Sequence, residues 1–233
     1  MRSSGTVRDT GHGGDAQDVQ AGRRGAAAGG GRRHGQLTRA DSPTAAMHSV
    51  EDPAPTAAPT QSAIIVPVPA AEAVVARHRR SLDRSAACGV PAHVTVLYPF
   101  VPPAALDNGT VAAAAAAVAS VAAFDCTFVA TRWFGSDVLW LEPRPAEPLR
   151  RLTRAVWAAF PGYPPYEGVH DGIEPHLTVG ERALGGPGAL EAAEAAVLPA
   201  LPFSQHVDHA VLVVGSGQPR SWRIQARLPL AND

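Results

Sequence analysis

The sequence predicts an α+β or mixed α/β protein built from two similar lobes, and three observations support that prediction. The chain has 233 residues, 45% hydrophobic and 18% charged, which suffices for one sizeable core or two small lobes. After residue 60, the order strand, helix, strand, helix, strand occurs twice. One polar strand motif also occurs once in each half. Together these features indicate an internal duplication of about 75–90 residues per half.

In the first half we predict a strand, a helix, a strand, a helix and a strand at residues 64–68, 70–81, 93–100, 108–121 and 125–133. The first strand is a β-branched run, and the helix after it places Val74 and Val75 on one side. Gly89 and Pro91 mark a loop before the second strand, which a proline-rich segment ends. The second helix is rich in alanine, the strongest helix former.

In the second half we predict a strand, a helix, a strand, a helix and two strands at residues 137–142, 147–160, 176–180, 188–197, 207–214 and 222–228. The first of these helices carries Leu149, Leu152, Val156 and Trp157 at the spacing of a buried face. A long loop rich in Gly, Pro and Tyr precedes the strand at 176–180.

Composition excludes several classes of function. The net charge of −1 argues against a protein that binds nucleic acid by bulk electrostatics alone. All 20 basic residues are Arg, so Schiff-base and phosphate-loop lysine chemistry is excluded. Two cysteines, Cys88 and Cys126, make neither a disulfide framework nor a zinc quartet, and we expect a reducing, cytoplasmic setting. The longest apolar run, at 111–124, is shorter than the roughly 20 residues that span a membrane.

We divide the chain into a tail at residues 1–60 and a bilobal domain at 61–233. Gly and Ala clusters interrupted by Arg pairs fill the tail without apolar periodicity, so we expect it to be disordered. We expect Met47 to be an alternative start and residues 1–46 to be an inessential extension. The competing interpretation is a basic arm that adds affinity for RNA.

The repeated motif consists of a histidine and a threonine that alternate with apolar residues. The first copy is His93-Val94-Thr95-Val96 and the second is His176-Leu177-Thr178-Val179. Because strand side chains alternate, each copy presents one imidazole and one hydroxyl on a polar face above an apolar face. One such tetrapeptide would be a weak motif, and a lone strand histidine is usually structural. Two copies at matching positions of a repeat form a specific signal.

These motifs resemble the two-histidine phosphoesterases, a family that includes 2′-5′ RNA ligase-like proteins and cyclic nucleotide phosphodiesterases. The resemblance covers about residues 62–230 and includes Tyr98-Pro99-Phe100 and Pro175 beside the motifs. It implies two lobes related by a pseudo-two-fold axis, each a small, mainly antiparallel sheet with helices packed outside and a cleft between them. It also implies that the catalytic residues are His93, Thr95, His176 and Thr178.

The chemistry can be argued from the residues themselves. Two imidazoles on either side of a phosphodiester can remove a proton from the nucleophile and donate one to the leaving oxygen. Threonine hydroxyls can hydrogen-bond the non-bridging oxygens, and nothing in this arrangement requires a metal. We therefore expect a metal-independent phosphodiesterase acting on 2′,3′-cyclic phosphate or 2′-5′ phosphodiester bonds of RNA type. We also expect a bell-shaped pH–rate profile with limbs around neutrality.

Two alternatives stay open. One is a non-catalytic RNA- or nucleotide-binding module that retains the cleft. The other is a hydrolase of a different small cyclic phosphate, such as an ADP-ribose cyclic phosphate. Because water is the abundant nucleophile, we expect hydrolysis to prevail over ligation.

Six further residues are candidates for substrate binding. Aromatic rings can stack on a base and an Arg fork can bind phosphate, although each of these residues also has an ordinary packing or surface interpretation. The six are Tyr98, Phe100, Tyr166, Arg132, Arg220 and Arg223. We expect no cofactor, no metal and no membrane partner, and a monomer whose substrate is an RNA end or a small cyclic nucleotide.

Overall fold

The computed structural model describes residues 58–168 and 173–232. Its strands are β1 (Gln61–Pro67), β2 (His93–Leu97), β3 (Phe124–Phe134), β4 (Val138–Arg144), β5 (Leu177–Glu181), β6 (Phe203–Val207), β7 (His209–Gly215) and β8 (Arg223–Pro229). Its helices are α1 (Pro69–Leu82), α2 (Arg84–Ala87), α3 (Asn108–Val118), α4 (Glu147–Ala159) and α5 (Ala189–Val197). Except for residues 58–60, the predicted tail, including Met47, lies outside the described residues.

The strands form two four-stranded sheets in which every pair of neighbours is antiparallel. The β1 sheet has the order β2-β1-β7-β8, and the β4 sheet has the order β5-β4-β3-β6. The two orders match strand by strand: β2 corresponds to β5, β1 to β4, β7 to β3 and β8 to β6. The predicted α+β fold with two related lobes is therefore confirmed. The sheets do not follow the sequence halves, because β3 joins the β4 sheet whereas β7 and β8 join the β1 sheet.

One predicted element was wrong: the single strand at 207–214 is two strands, β6 and β7, with Asp208 between them. β6 pairs with β3 in the β4 sheet, and β7 pairs with β1 in the β1 sheet. The chain therefore crosses between the sheets at Asp208. The polar centre of β6, Ser204-Gln205-His206, gave no apolar run from which a separate strand could be predicted.

A short helix, α2, lies in the predicted loop between α1 and β2. The carboxylate of Asp83 accepts a hydrogen bond from the Ser85 amide at 2.8 Å and so caps its first turn. Longer helices begin with similar signals, since Pro69 stands at the start of α1 and Asp107 caps α3.

The long helices α1 and α4 connect the two lobes through a common core. α1 follows β1 but packs against β5, and α4 follows β4 but packs against β2. Their buried faces, including Val75 of α1 and Leu152 of α4, join apolar residues of both sheets in one cluster. The prediction that Trp157 faces the core was wrong, because its side chain is 40% exposed at the edge of the buried stripe.

Close approach of α1 to β5 depends on a glycine. A Cβ at Gly180 would lie 2.7 Å from Cβ of Leu82 and 2.8 Å from Cδ2 of Leu190. No side chain fits at that distance, so glycine allows the end of α1 to reach β5. This packing brings the motif strands β2 and β5 close together. Within the two described ranges, none of the helices has the length and apolarity needed to cross a membrane.

Candidate active site

Both motif histidines are fixed in the same way. His93 is the first residue of β2, and its Nδ1 lies 2.7 Å from the carbonyl oxygen of Pro91. His176 immediately precedes β5, and its Nδ1 lies 2.8 Å from the carbonyl oxygen of Glu174. A carbonyl oxygen only accepts, so Nδ1 carries a proton in each ring. Nε2 is therefore the nitrogen that gains or loses a proton in both histidines.

The two motifs line one cleft of about 740 Å³. His93 and Thr95 contribute to its wall from β2, and His176 and Thr178 contribute from the start of β5. The apolar residues that alternate with them, Val94, Val96, Leu177 and Val179, are buried in the core. The alternation predicted from sequence thus anchors each strand on one side and presents polar groups on the other.

Burial and a nearby cation change the acidity of His93. Desolvation, the largest cause, and the Arg79 guanidinium lower the pKa of His93 to about 4, against weaker opposing effects from the Pro91 carbonyl and Asp83. A positive charge on His176 lowers the same pKa, which means that the two rings lie close enough to interact. At neutral pH His93 is therefore a neutral imidazole whose Nε2 can accept a proton.

Behind His93, an almost fully buried ion pair joins α1 to the segment that leads into β2. Nε of Arg79 lies 2.8 Å from Oδ2 of Asp83, and each side chain is less than 5% exposed. Arg79 also donates to the Ser85 hydroxyl at 3.1 Å and to the Val90 carbonyl at 3.5 Å. A buried charge is stable only when paired and hydrogen-bonded, as both are here.

A strained tyrosine covers the first motif. Tyr166 and Glu167 have φ values of 50° and 56°, a left-handed conformation that residues other than glycine rarely adopt. The Tyr166 amide donates to the Tyr98 carbonyl at 2.7 Å, and its hydroxyl hydrogen-bonds the Thr95 side chain. Burial raises the pKa of Tyr166 above its ordinary value, so its hydroxyl stays protonated at neutral pH.

The surroundings of His176 are aromatic. The ring of Phe134 meets the imidazole edge-on at a centroid distance of 4.9 Å, and the ring of Trp140 lies 5.9 Å away. Phe134 and Trp140 themselves stack at 4.8 Å. These rings restrict the orientation of His176 on the side of the β4 sheet.

The wall of the cleft on the β1 sheet is mostly apolar. Ala63, Ile65 and Val213 belong to a second buried cluster, against which the rings of Tyr98 and Trp222 pack. Trp222 is held by an indole N–H bond of 2.9 Å to the carbonyl of Ser216. Its ring packs directly on Gly215, which leaves no room for a Cβ there.

The structure brings some predicted substrate-binding residues to the cleft and not others. Tyr98 and Tyr166 line it. Phe100 is buried and packs edge-on against Phe160 at 4.8 Å, because β2 ends at Leu97 and the strand alternation stops there.

The three predicted phosphate-binding arginines also lie outside the residues that line the cleft. Arg132 is paired with Glu142 at 2.8 Å on the exposed face of the β4 sheet. Arg220 lies in the turn before β8 with φ 54°, and Arg223 begins the edge strand β8.

Sequence reasoning missed several residues of the cleft wall. Those that matter most are Arg80, Asp83, Arg84, Glu181 and Trp222. Arg80 and Arg84 were visible as a basic helix end, a pattern that equally fits a helix dipole. Ala63 and Ile65 were hidden because β1 is buried on both faces, so its apolar run shows no alternation.

Comparison with known proteins agrees with the fold. The profile of the 2′-5′ RNA ligase superfamily matches residues 66–219, which is more than half of the chain. The crystal structure of TT0787 of Thermus thermophilus has a TM-score of 0.51 at 16% identity, covering 74% of this chain and 99% of that one. At this identity the likeness concerns the fold alone.

Two other solved structures are similar at lower scores. Escherichia coli LigT complexed with NADP+ has a TM-score of 0.46 at 18% identity, covering 74% of this chain and 98% of that one. A crystal structure of a phosphoesterase has a TM-score of 0.47 at 18% identity, covering 75% and 99%. Comparison with curated proteins gave no match. The profile match extends over both motifs, and the chain therefore belongs to the 2′-5′ RNA ligase superfamily.

Proposed function

We propose that this protein is a metal-independent phosphodiesterase that opens 2′,3′-cyclic phosphates or cleaves 2′-5′ phosphodiester bonds of RNA type. The observation that carries the proposal is the matched pair of histidines in one cleft, each with Nδ1 bonded to a backbone carbonyl, which makes Nε2 the nitrogen that exchanges a proton. Membership of the 2′-5′ RNA ligase superfamily supports phosphodiester chemistry.

In the proposed reaction a water molecule attacks the phosphorus in line with the leaving ribose oxygen. Nε2 of one histidine takes the proton from the water as the new P–O bond forms. Nε2 of the other histidine gives its proton to the ribose oxygen as the old P–O bond breaks. The hydroxyls of Thr95 and Thr178 donate hydrogen bonds to the non-bridging oxygens, where negative charge accumulates.

The surroundings of the two rings favour one assignment of roles. A general base must be unprotonated before the reaction, and burial beside Arg79 lowers the pKa of His93 to about 4. We therefore assign the base to His93 and the acid to His176. With a ribose hydroxyl in place of water as the nucleophile, the same arrangement performs ligation: the hydroxyl oxygen bonds to phosphorus as one P–O bond of the cyclic ester breaks. Water at its ordinary concentration favours hydrolysis.

The proposal is tested with a substrate panel and product identification. Nucleoside 2′,3′-cyclic phosphates, 2′-5′ dinucleotides and ADP-ribose 1″,2″-cyclic phosphate are incubated with the protein in buffer containing EDTA. We expect cyclic phosphates to open to a single monophosphate isomer, with turnover unaffected by EDTA. Turnover restricted to the ADP-ribose compound would instead identify a hydrolase of an ADP-ribose cyclic phosphate. A requirement for added metal would contradict the mechanism.

Replacing His93 or His176 with Ala separates an enzyme from a binding module. We expect kcat to fall by about 10²–10⁴-fold in each variant, the usual contribution of general acid–base catalysis, with a small change in Kd for the monophosphate product. Binding by the wild type without turnover of any panel member would identify a binding module instead.

A further inference from the structure

The mouth of the cleft carries an arginine that the proposed mechanism does not use. Arg80 lies in the last turn of α1, lines the cleft and is exposed to solvent. Within the part of the chain that the structure describes, its guanidinium makes no hydrogen bond or ion pair, whereas the preceding residue, Arg79, is buried and fully engaged.

The other charges of the cleft wall neutralise one another. Asp83 is paired with Arg79 at 2.8 Å, and Glu181 is paired with Arg84 at 3.3 Å. His93 is uncharged at neutral pH. Both carboxylates that line the cleft within the described residues are thus compensated, and Arg80 adds a positive charge that neither of them balances. A cation in this position attracts an anionic group of whatever occupies the cleft.

In the proposed reaction, a small substrate such as a nucleoside 2′,3′-cyclic phosphate offers no anionic group for Arg80 to bind. The reacting phosphate lies between the histidines, and the apolar wall of Ala63, Ile65 and Trp222 suits a base. A nucleoside 2′,3′-cyclic phosphate has no other anionic group. An arginine fork is well matched to a phosphate because it donates two parallel hydrogen bonds.

We infer that Arg80 forms a second phosphate subsite, so that the preferred substrate carries a further phosphate beyond the one that reacts. The inference rests on the proposed function and narrows its substrate class. That further phosphate is either the internucleotide phosphate of an RNA strand ending in a cyclic phosphate or the diphosphate of a compound of ADP-ribose type.

The experiment compares Arg80→Gln with Arg77→Gln on three substrates. Arg77 lies on the same helix and is exposed, but it does not line the cleft and it donates to His78. The substrates are a nucleoside 2′,3′-cyclic phosphate, a dinucleotide ending in a 2′,3′-cyclic phosphate, and ADP-ribose 1″,2″-cyclic phosphate. The measured quantity is kcat/KM at low and high salt.

We expect Arg80→Gln to lower kcat/KM about fivefold for a substrate with a second phosphate, the effect of one partly solvated charged contact. For the mononucleoside substrate the change should stay below twofold, and Arg77→Gln should change none of the three values. The loss should shrink at high salt, because the ions screen an exposed charge pair. The substrate with the larger loss identifies the source of the phosphate.

The inference would be overturned, with the proposed function intact, if Arg80→Gln changed kcat/KM equally for all three substrates. The same holds if the wild type turned over only the nucleoside 2′,3′-cyclic phosphate. Wild-type protein that turns over none of the three would refute the proposed function, and the inference with it.

Discussion

At the scale of single residues, the two catalytic candidates are equivalent in backbone geometry and different in surroundings. Each imidazole is tied through Nδ1 to the carbonyl two residues before it. His93 then lies beside the buried Arg79, whereas His176 packs against Phe134 and Trp140. Near-identical motifs therefore have different surroundings, and the acidity of His93 depends on neighbours that the motif itself does not specify.

The acidity of His93 leads to a prediction about pH. Because its pKa falls from about 6.5 to about 4 on folding, the unfolded chain binds more protons between these values. His93 therefore destabilises the fold progressively as pH drops from 6.5 to 4 and contributes no such effect above that window. We expect NMR titration of the His93 ring to show a pKa of about 4. The acid limb of the pH profile of kcat/KM should then lie well below neutral pH, whereas the sequence alone predicts it around neutrality. A ring that titrates near 6.5 would contradict this account.

Tyr166 provides a second prediction. Its protonated hydroxyl can donate to the Thr95 oxygen, which directs the Thr95 hydrogen toward a phosphoryl oxygen. We expect Tyr166→Phe to lower kcat about tenfold with KM nearly unchanged, the value of one hydrogen bond made in the transition state. The loss should not add to that of Thr95→Ala. Tyr163→Phe is the control, since that ring packs on the buried Phe100, and additive losses would show that Tyr166 acts independently of Thr95.

Sequence reasoning at this scale succeeded where alternation applied and failed where it ended. Thr95 and Thr178 follow their histidines by two residues on regular strand, so their common face was predictable. Phe100 lies beyond the end of β2, and the chain turns it into the core. The partner of Tyr166 was beyond prediction, because a loop of unusual backbone conformation brings it to Thr95 from 71 residues away in sequence.

At the scale of elements, the order of helices and strands was largely predictable and their partners were not. Apolar periodicity located α1 and α4, but that each packs on the opposite sheet follows from tertiary contacts between distant parts of the chain. Because each helix packs on the sheet that it does not follow, β2 and β5 lie close together, and this creates the cleft. The split between β6 and β7 was missed for the same reason, since pairing rather than composition separates them.

The two aspartate caps give a prediction at this scale. Asp83 caps α2 and also neutralises the buried Arg79, whereas Asp107 caps α3 at the surface. We expect Asp83→Ala to lower the free energy of unfolding by about 3–5 kcal/mol, because it leaves a buried cation unpaired. Asp107→Ala should cost only about 1 kcal/mol. Urea denaturation measures both, and equal costs would mean that the Arg79 charge is not buried in solution.

At the scale of the whole molecule, the lobes depend on close packing at Gly180. We expect Gly180→Ala to destabilise the protein by about 1–3 kcal/mol, since the added Cβ would overlap Leu82 and Leu190. Gly162→Ala is the control, because a Cβ there meets nothing within 4 Å. Thermal denaturation compares the two variants. An unchanged Tm for Gly180→Ala would contradict the packing of α1 on β5.

The extent of the functional chain is also testable at this scale. From its composition we expect residues 1–46 to contribute nothing to the fold or to turnover, so a chain that begins at Met47 should keep the same Tm and kcat/KM. Weaker binding of RNA by the shortened chain, with turnover of a mononucleotide unchanged, would favour the basic arm.

The central claim is that His93 and His176 act on the same phosphorus atom. Its most direct test is the kcat of the double variant that lacks both histidines. If His93 and His176 act as a unit in hydrolysis of a 2′,3′-cyclic phosphate, removing either disables the same step. We therefore predict that the double variant is at most a few-fold slower than the slower single variant. Single losses that multiply in the double variant, or one single variant that retains near wild-type turnover, would contradict the account.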